Sequence, residues 1–179
     1  ERMSRAIERG MPLTGTQARM LSAAIDYAGS KGALVVAAAG NDGVDIDVDP
    51  MLPASLDSAA LITVGSSTAS DAVSGFSNRG ARSVDLFAPG DMVPVNHPRD
   101  YQPRVGSGTS YSSPVVAGAV ALYRSARPDL TPLQVREQLL ADATRLPAFS
   151  GKSVTGARLD LANLGASASG ARYAFSGMT

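Results

Sequence analysis

An apolar stretch, Ala33-Leu34-Val35-Val36-Ala37-Ala38-Ala39, runs between Gly32 and Gly40 without one polar side chain. A strand with one wet face alternates polar and apolar residues. A strand with no polar position is buried on both faces, as inside a parallel sheet. The residues before it read as a helix, with Thr16 as cap, Met20, Leu21, Ala24, Ile25 and Ala28 at helical spacing, and Gly29 and Gly32 as the stop. Helix followed by buried strand is half of a βαβ unit, so the expected class is α/β, with helices layered on a parallel sheet.

Further along, residues 61–65 read as a second buried strand, and 84–87 and 92–95 as extended pieces separated by an Ala88-Pro89-Gly90 turn. Residues 1–15, 40–53 and 96–103 read as an arm and two loops. From Thr109 or Ser110 to about Ser125 small and apolar residues are nearly continuous, which predicts a helix buried almost all round, with Pro114 tolerated in its first turn. Thr131-Pro132 predicts another helix start, and Leu133, Val135, Leu139 and Leu140 its inner face. A last strand-to-helix element is expected within 156–165, and the Ala/Ser/Gly-rich residues 166–179 read as a tail or linker.

Composition narrows the function. Lys plus Arg (16) equals Asp plus Glu (16), and no basic run is interleaved with aromatics, so nucleic acid is not an expected partner. The apolar runs are too short and too glycine-broken for a membrane span. With no cysteine there is neither a disulfide framework nor a thiolate metal site.

Two segments carry candidate chemistry. In Gly106-Ser107-Gly108-Thr109-Ser110 a glycine-rich turn delivers a serine to a helix N-terminus, where unpaired N–H groups and the helix dipole favour developing negative charge. Serine is also a favoured helix cap, and glycine turns at helix starts also bind phosphate, though here without a third glycine or a lysine. In Val35-Val36-Ala37-Ala38-Ala39-Gly40-Asn41 a buried strand ends by presenting an asparagine at its carboxyl end, where open α/β sheets bind ligands. Taken alone, Asn41 is equally a turn residue.

Together the segments carry a resemblance. Gly108-Thr109-Ser110-x-Ser112-x-Pro114-x-x-Ala117-Gly118 resembles the serine motif of the subtilisin-like (subtilase) family, with Val115 where that family often has histidine. Val36-Ala37-Ala38-Ala39-Gly40-Asn41 is similar to its oxyanion segment. Pro53-Ala54-Ser55, Ile62-Thr63-Val64-Gly65, Phe76-Ser77-Asn78-Arg79-Gly80 and residues 84–90 look like further landmarks. The resemblance implies a three-layer parallel-sheet fold in which residues 1–165 form the C-terminal portion of a peptidase domain. It also implies a serine endopeptidase acting on polypeptide substrates, with Ser110 as nucleophile, Asn41 as oxyanion donor, and backbone from Ala38, Ala39 and Gly40 bordering the pocket for the residue before the cleaved bond.

In such enzymes the Asp and His partners precede the oxyanion asparagine in the chain. Neither segment is recognisable here, so the fold is expected to be incomplete, its early strands and both partners coming from an upstream portion. The one histidine, His97, lies in a proline-flanked loop and is not assigned as the base. The alternative is a non-catalytic, protease-like binding domain. No cofactor is required for the chemistry. Calcium sites occur in the family, but Asp42, Asp45, Asp47 and Asp49 lack the spacing of a calcium loop and read as an acidic solvated loop, so no metal ligand is assigned. The resemblance further implies a secreted enzyme.

Overall fold

A computed structural model describes residues 15–96 and 99–164. Residues 1–14 of the expected arm, His97 and the 166–179 tail lie outside the described residues, and Gly15 opens the first helix. The sheet has the order β1-β2-β3-β7-β6, with β1 at Val35–Ala38, β2 at Leu61–Ser67, β3 at Leu86–Pro89, β6 at Thr144–Arg145 and β7 at Ala157–Arg158. β1, β2, β3 and β7 run parallel, and β6 returns antiparallel along β7. Every residue of β2 is buried, as expected of a central parallel strand, and the one polar side chain in its first four residues, Thr63, donates its hydroxyl to the Ala54 carbonyl at 2.8 Å. Among the described residues β1 pairs only with β2, so its other edge is open.

On one face lie α2 (Thr109–Ala126) and α3 (Pro132–Asp142), whose Val116, Ala119, Val120, Tyr123, Val135 and Leu139 interlock with Ile62, Val64, Leu86 and Ala88 of the sheet. Thr131 caps α3 with a reciprocal capping box to Gln134, and Pro132 opens its first turn. On the other face, α1 (Gly15–Ser30) seats Ile25 against Ala37, Ala60 and Leu61. Beside it a second cluster joins Ala39, Ile46, Ala54, Val84, Phe87 and Phe149, with the two rings stacked at 4.9 Å.

Three expectations need correction. α2 is buried along one side only: Val115 and Leu122 are 40% and 49% exposed, and Ala117, Gly118 and Ala121 are exposed with them. Its composition is that of an all-round buried helix, but only the sheet side is covered. In α1, Met20, Leu21 and Ala24 are exposed, as is Leu133 in α3, because each helix meets the sheet along a stripe narrower than its apolar pattern. The loop expected over 96–103 holds at residues 99–102, and it lies between the arms of a hairpin whose second arm was not expected: β4 (Val93–Asn96) pairs antiparallel with β5 (Pro103–Gly106).

Candidate active site

The site forms where the carboxyl end of β1 meets the N-terminus of α2. After β1, the Ala39 N–H donates to the Val64 carbonyl at 2.9 Å, and the chain turns at Gly40 with φ 102°. A side chain at Gly40 would run into the Asn78 amide and the Met51 sulfur, so both the turn and the space demand glycine. Asn41 follows, exposed.

The Asn41 Oδ1 accepts two hydrogen bonds, from the Thr109 N–H at 2.8 Å and from the Thr109 hydroxyl at 2.9 Å. That hydroxyl also accepts the Gly40 N–H at 3.2 Å. With two donors on its oxygen, the Asn41 amide has one sensible orientation, and its NH₂ is the free-facing end. Ser110, also exposed, is the next residue after Thr109 in the first turn of α2. Gly108, the N-cap, lies at φ 156°, ψ 154°, a region open to little but glycine. A methyl group added there would sit 3.1 Å from the Ser110 Oγ and 3.5 Å from the Asn41 Nδ2. The serine hydroxyl and the asparagine amide, 69 positions apart by numbering, therefore border one point in space.

The serine turn is braced from below. The Gly108 N–H donates to the Gly90 carbonyl at 2.8 Å, and the buried Ser112 hydroxyl donates to the Ala88 carbonyl at 2.9 Å, fixing the first turn of α2 to the end of β3. Ser107 ties the hairpin base, donating to Asp91 at 2.7 Å and accepting the Met92 N–H at 2.9 Å. Of the residues expected to border a substrate pocket, Ala38 and Gly40 are half-buried, whereas Ala39 points its methyl group into the core.

The acidic residues after Asn41 close turns. Asp47 accepts the Arg82 and Ser83 N–H groups at 2.9 Å each, and Asp45 accepts the Asp47 N–H at 3.0 Å. Burial alone would raise the Asp47 carboxyl, but hydrogen bonds from Ser83 and Arg82 hold it below its ordinary value. Among the described residues no group of three or more His, Cys, Asp or Glu side chains could hold a metal ion. No described helix is long and apolar enough to cross a membrane.

One contributor is not legible in the sequence. Asn78, fully buried, braces the loop that carries Asn41, accepting the Asp42 N–H at 3.0 Å and donating to the Ala39 carbonyl at 2.9 Å. Its segment carries a visible likeness, but its partners lie 36 and 39 residues away.

The layers, the parallel sheet and the helix that carries the serine are those of a subtilisin-like α/β fold, present in part. The chain belongs to the subtilase family, whose model matches residues 11–162. It is 41% identical over 135 residues to an extracellular serine proteinase of Thermus sp. (strain Rt41A), covering 75% of this chain and 32% of that one. It is 39% identical over 127 residues to subtilisin DY of Bacillus licheniformis, covering 70% and 45%. Among solved structures, a cold adapted subtilisin-like serine proteinase aligns with TM-score 0.67 and 36% identity, over 77% of this chain and 48% of that one. The chain thus spans less than half the length of these relatives, which are serine proteases.

Proposed function

We propose that this chain supplies the nucleophile and the oxyanion donor of a secreted serine endopeptidase that cleaves peptide bonds in proteins. The observation that carries the proposal is the convergence of the Ser110 hydroxyl and the Asn41 amide beside Gly108, with that amide oriented by Thr109. Ser110 Oγ attacks the scissile carbonyl carbon while its proton passes to a general base. The carbonyl oxygen, now an oxyanion, takes hydrogen bonds from the Asn41 amide and the Ser110 N–H. Collapse expels the amine, which takes the proton from the base, and water then hydrolyses the acyl-enzyme on Ser110. Backbone from Ala38 to Gly40 borders the pocket for the residue before the cleaved bond.

The base and its carboxylate belong to an upstream portion of the same protease domain. The open edge of β1 and the exposed apolar side of α2 around Val115 and Leu122 are where that portion packs, since the first is unpaired among the described residues and the second is apolar. Reaction of the full-length protein with a fluorophosphonate probe tests the assignment. Labelling should occur and should vanish in Ser110→Ala; labelling that survives that substitution refutes the nucleophile.

A further inference from the structure

We infer that Asn78 is a positioning residue for the oxyanion amide. It touches neither the proposed nucleophile nor the carbonyl that would be attacked, and it acts through the backbone on either side of Asn41. The inference rests on the proposed role of Asn41 and adds a second residue to it.

The side chain of Asn78 is fully buried, and its hydrogen bonds go to residues 39–44 and, more weakly at 3.6 Å, to the Met51 sulfur. Its Oδ1 accepts the N–H groups of Asp42 at 3.0 Å and Val44 at 3.1 Å. Its Nδ2 donates to the Ala39 carbonyl at 2.9 Å and to the Asp42 carboxylate at 3.3 Å. Its own N–H donates to the Gly40 carbonyl at 3.0 Å. These bonds grip the chain at residues 39 and 40 before Asn41 and at 42 and 44 after it. The path of the loop is thereby fixed at both ends, and with it the origin of the Asn41 side chain.

Only asparagine meets these demands. A side-chain amide of this length accepts two hydrogen bonds and donates two, and here it does both. Aspartate would accept from Asp42 and Val44 but lose the donor to Ala39, and it would place a second carboxylate against that of Asp42. Alanine would leave the two N–H groups and the Ala39 carbonyl without their buried partner. Gly40 has no side chain to brace the turn, and the space a methyl group would need is already filled by the Asn78 amide. Thr109 orients the Asn41 amide from the α2 side, so Asn78 and Thr109 hold it from opposite flanks.

The test compares the full-length protein with Asn78→Ala, Asn78→Asp, Asn41→Ala and the two combined substitutions, on a chromogenic peptide amide. The end-point of fluorophosphonate titration counts intact sites, so kcat is expressed per folded molecule even where a variant folds in poor yield. Both Asn78 variants should lose about tenfold or more in kcat with KM within about twofold, since a misplaced donor weakens the transition state more than substrate binding. In the Asn41→Ala background the same substitutions should cost less than about twofold, because the group they position is gone. An unchanged kcat, or an equal further loss in the Asn41→Ala background, overturns the inference and leaves the proposed function standing. If Asn41→Ala itself leaves kcat unchanged while Ser110→Ala abolishes activity, the oxyanion assignment falls and the inference falls with it.

Discussion

Replacing Arg136 by methionine should leave the buried Asp85 carboxylate without its cation. Asp85, at the entrance to β3, has a side chain only 9% exposed. Its Oδ1 accepts the Arg136 guanidinium at 2.6 Å and its Oδ2 accepts the Thr63 N–H at 2.7 Å, while Arg136 Nε reaches the Leu61 carbonyl at 3.0 Å. The pair thus pins α3 to β2 and β3. Burial raises the Asp85 carboxyl above its ordinary value, and the pull of Arg136 and the Thr63 N–H does not cancel it. Removing the cation leaves a buried, half-compensated carboxylate, and breaking such a pair costs about 3–5 kcal/mol. The double variant Asp85→Asn/Arg136→Met keeps an acceptor for Thr63 and buries no charge, so it should return to within about 1.5 kcal/mol of the parent.

The pH dependence has a definite sign. An acid whose folded pKa is raised holds its proton more tightly folded than unfolded, so stability falls as pH rises upward from the unfolded value of about 3.9. Arg136→Met raises the folded value further, and its loss should be smaller near pH 4 than at pH 7. Urea unfolding of the full-length protein, followed by circular dichroism in a Ser110→Ala background to prevent self-digestion, reads both effects. A loss that is flat or larger in acid, or a double variant as unstable as the single one, would refute the reasoning.

Gly90→Ala should destabilise by about 1–3 kcal/mol in the same assay, since its methyl group would collide with the Ser112 and Ser66 hydroxyls and the Gly108 carbonyl; a neutral result would mean that the end of β3 yields. Tyr123→Phe removes a hydrogen bond of 2.6 Å to Asp142 from a phenol that burial and Asp142 hold protonated, and should cost about 1 kcal/mol in thermal unfolding. Asn41→Ala should cut kcat by about 10²–10³, the loss known for one oxyanion donor in subtilisin rather than a figure worked from this chain. Leu122→Asp, on the exposed side of α2, should lower the yield of titratable sites from the full-length protein and leave kcat per site unchanged, as expected if an upstream portion covers that face.

Residues 33–39 announced a strand because an apolar run between glycines has few other uses, and the structure places β1 inside them, but within β1 only Ala37 is buried, since the strand lies at the edge of the described sheet. The serine segment was legible through its likeness to a family motif, since on its residues alone a serine after glycines is more often a helix cap. The second arm of the hairpin was not. Pro103 and Arg104 look like loop, and β5 is defined only by its pairing with Val93–Asn96. The strand expected within 156–165 is β7, which completes the sheet beside β3, whereas β6, two residues long, lies below any periodic signal. The exposed side of α2 misled for the opposite reason. Its apolar pattern is that of a helix covered all round, and the described residues cover only the sheet side. Asn78 was invisible as a brace, because a polar residue in a Ser-Asn-Arg-Gly stretch reads as a turn until its distant partners are in place.

The link from Thr109 to Asn41 also makes the proposed chemistry conditional on tertiary structure. It spans 68 residues of sequence and joins a strand end to a helix start, so it closes only when those two layers have docked. Before that moment during synthesis, and after any local opening that separates the layers, the serine hydroxyl has no amide beside it. Under the proposed function, a chain of this design is disarmed until its layers have docked.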